Sequence, residues 1–259
     1  MSERAAKAAL PRDGDAFPSP SKAPQILHRE RHRAVNEGTA KAALFGISDG
    51  LLTNVSLILG VVGAHPAVSV VRLAGIVGAV AGCFSMAAGE YLSLSGQVDL
   101  SRRELAIERR ELETDPDGEY RELVEIYLAK GIGEPVARDL AREMMREPTT
   151  ALDTHVREEL GLNPGDLGSP VKSGVASFLS FGLGAIVPLF PWFFAAGLAA
   201  SMVSIALSFL LAMAIGVVTA SFSGRPRLGG AVRQLAVCTV AAAVTFAVGS
   251  ALGAGLAGL

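Results

Sequence analysis

Long apolar runs alternate with shorter polar segments along most of the chain. A helix that crosses a bilayer needs about 20 mainly apolar residues. Runs of this kind cover approximately residues 42–63, 73–94, 173–189, 192–220 and 234–257. The pattern therefore predicts an all-α membrane protein with five transmembrane helices, of which the third is short and is broken near its end by Pro188 and Pro191.

The charged residues are distributed unevenly along the 259 residues of the chain. Of the 25 acidic residues, 17 lie between Val98 and Leu160 beside only 10 Lys or Arg, which gives this segment a net charge of −7. The 87 residues from Ser173 to Leu259 contain three Arg and no Asp or Glu. A helical hairpin buried in a soluble protein is the alternative, but a soluble surface needs more charge than this.

Basic residues near the ends of the predicted spans indicate how the chain is oriented. They are concentrated before span one, between spans two and three, and between spans four and five, whereas the opposite loops contain only Arg72. Because basic loops remain on the cytoplasmic side, we predict a cytoplasmic N-terminus and a cytoplasmic segment between spans two and three. The C-terminus then lies on the other side.

These features divide the chain into four predicted parts. Residues 1–27 are rich in Pro, Ala and Ser, lack the apolar region of a signal peptide, and are expected to be a disordered tail. Residues 28–94 hold a polar amphipathic helix that leads into the membrane, followed by spans one and two. Residues 95–171 are predicted to form a cytoplasmic, acidic, helical metal-binding domain, and residues 172–259 hold spans three to five.

The motifs of several common functional classes are absent from the sequence. Cys83 and Cys238 both lie in apolar runs and form neither a disulfide framework nor a paired-cysteine metal site. There is no glycine-rich nucleotide-binding loop and no hydrolase motif of the Gly-x-Ser-x-Gly type. No stripe of basic and aromatic residues indicates nucleic-acid binding. We therefore expect neither an enzyme nor a nucleic-acid-binding protein.

Three candidate path residues lie inside the first two spans. A carboxylate such as Asp49 costs about 2.5–3.5 kcal/mol to insert, and it usually faces a bundle interior or a water-filled path. We interpret it as part of a cation path; the alternative is an Asp near the headgroups. Met86 and Glu90 are four residues apart and share a helix face. A thioether beside a carboxylate favours a softer transition metal, although packing is the alternative for Met86.

Two glycines flank the candidate path residue of span one. Gly46 and Gly50 form a small-residue motif that lets another helix approach closely. Five spans offer few interior faces for an ion path, whereas two copies of the chain can enclose one. The glycines lie on a face suited to close approach, and we predict that cross-links from span one join two subunits.

The acidic segment is predicted to form four short helices, over approximately residues 98–113, 119–130, 134–147 and 150–160. Residues 115–118 are predicted to form a turn between the first two helices. Glu104, Glu108 and Glu111 are spaced i, i+4 and i+7 on the first helix. Like-charge neighbours at this spacing repel one another unless a cation lies between them.

The later helices of the acidic segment add further carboxylates. Glu119 and Glu122 are three residues apart, whereas Arg121 is spaced to pair with Glu125. His155 is spaced to reach two carboxylates, at i+3 and i+4, which are Glu158 and Glu159. A His with carboxylates from several helices is typical of bundle-type iron sites. The alternative is a solvated, acidic helical hairpin.

Four motifs occur in an order that resembles a known family. They are GISDGLLTNVSLILGV in span one, FSMAAGEYLSLSGQ in span two, REELGL at the end of the acidic insert, and PLFP in span three. Over roughly residues 28–257 the chain resembles the vacuolar iron transporter family. The resemblance implies a five-span homodimer that moves Fe(II), and often Mn(II), out of the cytosol in exchange for protons, along a path at the subunit interface.

The resemblance also assigns residues. It places Asp49 and Met86 in the path, and we expect Asp49 and Glu90 to alternate between proton and metal. In the insert it implies a set of carboxylate ligands, which are Glu108, Glu111, Glu119, Glu122 and Glu159. His155 stands where the family has a Met, and Val156 stands where a Glu is expected. These two departures leave the metal preference of the insert open.

We therefore expect an exporter of Fe(II) and Mn(II) that has no catalytic cofactor and lies in a bacterial plasma membrane. Its partners are these metal ions, protons, the bilayer and a second copy of the chain. A membrane-anchored metal sensor or storage scaffold is the main alternative, and it would not need Asp49. A di-iron oxidase would need paired Glu-x-x-His motifs, whereas the insert has a single His that precedes its carboxylates.

Overall fold

The computed structural model describes residues 37–163, 165 and 167–257. The predicted tail 1–27 and most of the predicted amphipathic helix before span one lie outside these residues. The described part of the chain forms eight α-helices, and no strand occurs in it. The helices are α1 (Glu37–Gly63), α2 (Val68–Thr114), α3 (Pro116–Ala129), α4 (Glu134–Met144), α5 (Pro148–Glu158), α6 (Pro170–Leu189), α7 (Gly197–Phe222) and α8 (Arg227–Ala257).

Five of these helices contain a segment that is long and apolar enough to cross a membrane. The segments lie in α1, α2, α6, α7 and α8, with bounds of Ala43–Gly63, Val68–Thr114, Pro170–Phe193, Gly197–Phe222 and Arg227–Gly255. The prediction of an all-α membrane protein with five spans is confirmed. The insert lies between spans two and three. It comprises the end of α2 together with the three short helices α3, α4 and α5.

Helix α1 packs in parallel against α6. A side chain at Gly46 would collide with Ser180, and one at Gly50 would collide with the backbone of Phe181. The two glycines therefore serve packing within the subunit. Because α6 occupies the glycine face, that span one joins two subunits stays a prediction that these glycines do not carry.

Successive spans of the bundle run in alternating directions. Gly60 and Gly63 of α1 approach Thr245 and Phe246 of α8, so these helices are also parallel. Helices α2 and α7 run in the opposite direction. The start of α1, the end of α2 and the start of α6 therefore lie at one end of the bundle, where the insert is attached.

Helix α2 continues from span two into the insert without a break. Its 47 residues give it a length of about 70 Å, more than twice the thickness of a hydrocarbon core. The sequence predicted two helices here, with a gap around Gly96. No Pro interrupts the segment, and an exposed Gly is tolerated within a helix at a cost of about 1 kcal/mol. The long helix joins the insert rigidly to the bundle.

The predicted turn between the first two insert helices is instead the beginning of α3. The side chain of Asp115 accepts a hydrogen bond of 3.0 Å from the backbone N–H of Gly118. Pro116 occupies the first helical position, where its missing N–H costs nothing. The two residues therefore start a helix, and the sharp change in direction is confined to Asp115.

The boundary between spans three and four also differs from the prediction. Pro188 lies inside α6, and a short 3₁₀ turn over Phe190–Phe193 follows the helix. Pro188 is tolerated because it is in the last turn, where its carbonyl accepts a hydrogen bond of 2.6 Å from Ser204. Helix α7 starts at Gly197, five residues later than predicted, because Gly197 has a positive φ of 59° that ends the preceding turn.

A small apolar core holds α3 and α4 together as a hairpin. It consists of buried residues from both helices, which are Leu123, Val124, Tyr127, Ala137 and Ala141. Val156 of α5 is fully buried. The sequence resemblance led us to expect a Glu at this position; the buried Val instead removes one carboxylate from the neighbourhood of α5.

Candidate metal centre

Three metal-binding side chains converge between α2 and α5. Glu108 lies on the extension of α2 and His155 in the last turn of α5. Glu159 is the C-cap residue of α5. One ligand atom from each residue lies within 4.8 Å of the other two. A single cation can therefore contact all three side chains.

The centre is removed from solvent. His155 is completely buried and Glu108 is only 3% exposed. Nδ1 of His155 lies 3.2 Å from Oε1 of Glu108 and 3.5 Å from Oε2 of Glu119. Glu119, near the start of α3, is also buried. Three helices thus contribute to one enclosed group of ligands.

Several polar atoms of this centre have no hydrogen-bond partner among the described residues. They are both ring nitrogens of His155 and Oε1 of Glu108. Leaving a buried polar atom unpaired costs about 1–3 kcal/mol. Because the unpaired atoms are all metal-ligand types and converge, a bound cation would account for them.

The electrostatics of the centre are dominated by burial and by neighbouring carboxylates. Burial, together with the negative charges of Glu159 and Glu119, raises the pKa of Glu108 to about 8. Burial is also the main cause that raises the pKa of Glu119 and of Glu159. In contrast, burial lowers the pKa of His155, which keeps the imidazole neutral and able to bind a metal.

A second group of carboxylates surrounds the buried centre. The negative charge of Glu122 raises the pKa of Glu119 and Glu159, and that of Glu111 raises the pKa of Glu108 as well. Glu104 acts in the same way on Glu159. The structure therefore brings together all six residues predicted for the insert, which are Glu108, Glu111, Glu119, Glu122, His155 and Glu159. Glu104 of the noted stripe joins them as a seventh.

The mixture of ligand types favours particular metals. Carboxylates alone suit Mg²⁺, Ca²⁺ and Mn²⁺, whereas an imidazole adds preference for Fe²⁺ and later first-row metals. The carboxyl groups must lose their protons to bind, so metal binding here releases protons. The centre is thus suited to a divalent transition metal whose binding depends on pH.

Two contacts predicted from spacing do not form. Glu158 pairs with Lys130 of α3 instead of His155, and this ion pair ties α5 to α3. Arg121 donates from Nε to the backbone carbonyl of Asp117 at 3.1 Å, and among the described residues no ion pair joins it to Glu125. Spacing along a helix allows such pairs, but partners on other helices and nearby carbonyls compete for the same side chains.

Asp49 lies on a different side of α1 from the glycines that pack against α6. Its carboxylate is half-buried and accepts a hydrogen bond of 3.4 Å from the hydroxyl of Thr53. Thr53 itself is exposed, as is Phe45 one turn earlier. Three residues spaced by four thus form a partly open stripe on α1, with a carboxylate at its centre.

Met86 and Glu90 lie on α2, against α6. Met86 packs beside the cluster of Cys83, Phe181 and Ala185. Glu90 accepts a hydrogen bond of 3.0 Å from the hydroxyl of Ser173, which lies in the first turn of α6. Glu90 is therefore near the insert end of the bundle. Sequence reasoning missed Ser173, because nothing in an apolar span distinguishes a hydroxyl that binds a carboxylate from one that bonds its own helix.

Phe181 of α6 packs between the two helices that hold the three predicted path residues. Its backbone touches Gly50 of α1 and its ring touches Gly82 of α2.

The fold and the centre define a class: a polytopic helical membrane protein whose second span extends into a carboxylate and histidine centre outside the bundle. Comparison with known proteins identifies the family within this class. The sequence model of the VIT family matches residues 40–250, so the chain belongs to the VIT family.

Individual relatives agree with this assignment. The chain is 32% identical over 230 residues to "Vacuolar iron transporter" of Acanthamoeba castellanii, with 85% of this chain and 82% of the relative covered. It is 29% identical over 226 residues to "Vacuolar iron transporter 1" of Tulipa gesneriana, with 87% and 91% covered. "Vacuolar iron transporter 1" of Arabidopsis thaliana is 28% identical over 220 residues, with 85% and 88% covered. These relatives give no support to the expectation of a bacterial member.

Proposed function

We propose that this protein transports Fe(II), Mn(II) or both out of the cytosol in exchange for protons. The observation that carries the proposal is the buried convergence of Glu108, His155 and Glu159, at the end of the helix that also forms span two. Family membership and the names of the relatives support iron as the cargo. A wholly structural insert would not need unpaired ligand atoms in its interior.

The insert would act as the loading site. Its excess of carboxylates attracts cations, and the buried Glu108 must give up a proton when a metal binds. Binding of a metal ion by the insert is thereby coupled to release of a proton on the same side of the membrane. This coupling is the first half of an exchange of protons for metal.

The path through the membrane would begin near Glu90 and continue towards Asp49. Glu90 lies at the insert end of the bundle, where it contacts the first turn of α6. Asp49 is half-buried beside the exposed Thr53, so one subunit alone leaves this carboxylate facing the surroundings of the bundle. An unshielded carboxylate is costly within a bilayer. A homodimer that covers the stripe of Phe45, Asp49 and Thr53 would remove this cost.

The direction of transport follows from the proposed orientation. Basic residues near the ends of the spans favour a cytoplasmic location for the insert, so metal would enter the path from the cytosol. The proposed location is a plasma membrane, whereas the relatives are named for the vacuole. Fractionation of cells that express the tagged protein tests the location.

Reconstitution into vesicles tests the function directly. The full chain is placed in vesicles with an acidic lumen and the insert outside, and uptake of Fe(II), Mn(II), Co(II) and Zn(II) is compared. We expect uptake of Fe(II) or Mn(II) that collapses when the pH gradient is dissipated. Metal binding without any uptake would instead support the alternative, a sensor or storage scaffold.

Cross-linking tests the proposed dimer. With Cys83 and Cys238 replaced by Ala, a Phe45→Cys variant should form a disulfide-linked dimer in membranes. Leu183→Cys is the matched control, since both side chains are similarly exposed, at 64% and 62%. Equal cross-linking at both positions would indicate random collision and would contradict a dimer through the α1 stripe.

A further inference from the structure

A large apolar cavity lies at the end of the bundle opposite the insert. Its volume is about 720 Å³, and its walls come from the last turns of α1, the start of α2, the 3₁₀ turn, the first half of α7 and the middle of α8. Among its lining residues are Leu59, Trp192, Phe209, Ala243 and Phe246. All belong to segments that are apolar enough to cross a membrane. The cavity is distinct from the metal centre and from the stripe around Asp49.

The polar groups of the cavity wall are few. The hydroxyls of Ser201 and Thr239 donate to carbonyls of their own helices, at 3.1 and 2.8 Å. The indole N–H of Trp192 is buried and has no acceptor among the described residues. His65, at the rim, is the remaining polar lining residue. The wall therefore offers few polar groups to an occupant of the cavity.

Water is a poor occupant of such a cavity. A buried water molecule typically makes two to four hydrogen bonds, and this wall offers too few free groups for a cavity of this volume. Because the wall belongs to membrane spans, the medium next to it is hydrocarbon. A hydrocarbon chain gains the dispersion contacts that an unfilled cavity would lose.

The rim carries the charge that would complement a lipid headgroup. Arg72 donates from Nε to the backbone carbonyl of Trp192 at 2.6 Å, which fixes its guanidinium beside the cavity wall. Among the described residues, no carboxylate pairs with Arg72. His65 adopts a positive φ of 54°, a backbone conformation that costs a residue other than Gly about 1–3 kcal/mol. The hydrogen bond to Trp192 therefore holds the charge of Arg72 beside the cavity wall.

We propose that this cavity binds an anionic phospholipid from the leaflet opposite the insert. One acyl chain fills the cavity, and the phosphate pairs with Arg72. A helix of a second subunit fits less well, because a helix about 10 Å wide would fill 720 Å³ with only about two turns.

The single Trp of the chain makes the proposal directly measurable. The full chain is reconstituted in phosphatidylcholine vesicles that contain a rising share of phosphatidylglycerol with brominated acyl chains. Bromine quenches indole fluorescence on contact. We expect quenching of Trp192 that saturates at a low share of the brominated lipid. Arg72→Gln should weaken the preference for phosphatidylglycerol over brominated phosphatidylcholine about fivefold.

Two substitutions of Ala by Phe on α8 separate the cavity from general lipid contact. Ala243 lines the cavity, whereas Ala247, one turn further along the same helix, does not, and both side chains are exposed. Ala243→Phe should abolish the saturable quenching, and Ala247→Phe should preserve it. Ser201→Leu, which narrows the cavity from α7, replaces Ala243→Phe if that variant elutes as an aggregate. Quenching that grows in proportion to the bulk lipid and is equal in all variants would overturn the proposal.

Discussion

His155 and Glu108 lie on helices that are far apart in the sequence, yet Nδ1 of the imidazole is 3.2 Å from Oε1 of the carboxyl group. Both side chains are buried, and neither of these atoms has a hydrogen-bond partner among the described residues. Burial favours the neutral form of each group. The pair is therefore stable with the carboxyl proton in place, and a metal must displace that proton to use both ligands.

The buried carboxyl of the insert should be required for metal binding. Glu108→Gln keeps the shape of the side chain and removes its charge, so we expect the affinity for Mn(II) to fall at least about tenfold. Thermal unfolding of the full chain in detergent, with and without Mn(II), measures the effect. Glu125→Gln is the matched control, because Glu125 is exposed on α3 and is not among the charges that raise the pKa values of the centre. Equal losses in both variants would contradict the assignment.

Stability without metal should decrease as pH rises. The pKa of Glu108 is about 8 in the folded protein and 4.5 ordinarily, so between these values the folded state holds a proton that the unfolded state lacks. The free energy of unfolding then falls with rising pH, by up to about 1.4 kcal/mol per pH unit for one proton. The window from pH 6.5 to 8 isolates this effect, because the lowered pKa of His155 acts in the opposite direction only below 6.5.

Mn(II) should reverse this trend. Because the metal needs the deprotonated carboxylates, its stabilising effect should grow from pH 6.5 to 8 and be reduced in Glu108→Gln. Scanning calorimetry of the full chain at several pH values provides the measurement. A metal-free protein that becomes more stable across this window would be incompatible with a buried, protonated Glu108.

The imidazole should determine which metals bind. His155→Ala removes the only nitrogen ligand of the converging group, so affinity for Zn(II) and Fe(II) should fall about 10–100-fold. Affinity for Mg(II) should change little, because Mg(II) prefers oxygen ligands. Competition titrations compare the metals. His155→Gln, which retains more of the buried volume, distinguishes loss of a ligand from loss of packing; equal losses for Mg(II) and Zn(II) would indicate packing.

Asp49 should be needed for transport but not for binding to the insert. Asp49→Asn should reduce metal uptake into vesicles to background, while stabilisation by Mn(II) remains. Asp99→Asn is the control, since Asp99 lies on the extension of α2 with its side chain 76% exposed. Normal uptake by a well-folded Asp49→Asn protein would remove Asp49 from the path.

The glycines of α1 should be required for folding of the single subunit. A methyl group at Gly50 would collide with the backbone of Phe181, so Gly50→Ala should destabilise the protein by about 1–3 kcal/mol. Gly89→Ala, on α2, meets nothing within 4 Å and should be neutral or slightly stabilising. Thermal unfolding in detergent compares the two. A Gly50→Ala protein with normal stability but no dimer would restore the role of this face between subunits.

The sequence by itself determined the number of spans and the helical nature of the insert, and it predicted the residues of the candidate metal centre. Apolar length predicts spans because each backbone group in a bilayer must be satisfied within its own helix. Repeated carboxylates at i, i+4 and i+7 predict one face of a helix. These signals are local: spacing singled out Glu108 with Glu111 and Glu119 with Glu122, and the family resemblance assigned them to metal binding.

Only the tertiary structure decided which partners these residues meet. Gly46 and Gly50 favour close approach of a helix, but nothing in their spacing says that the helix is α6. Glu158 was as well placed along α5 as Glu159, yet Lys130 pairs with it and leaves Glu159 in the metal centre. Partner choice depends on distances between segments that are remote in the chain, and helical periodicity carries no information on those distances.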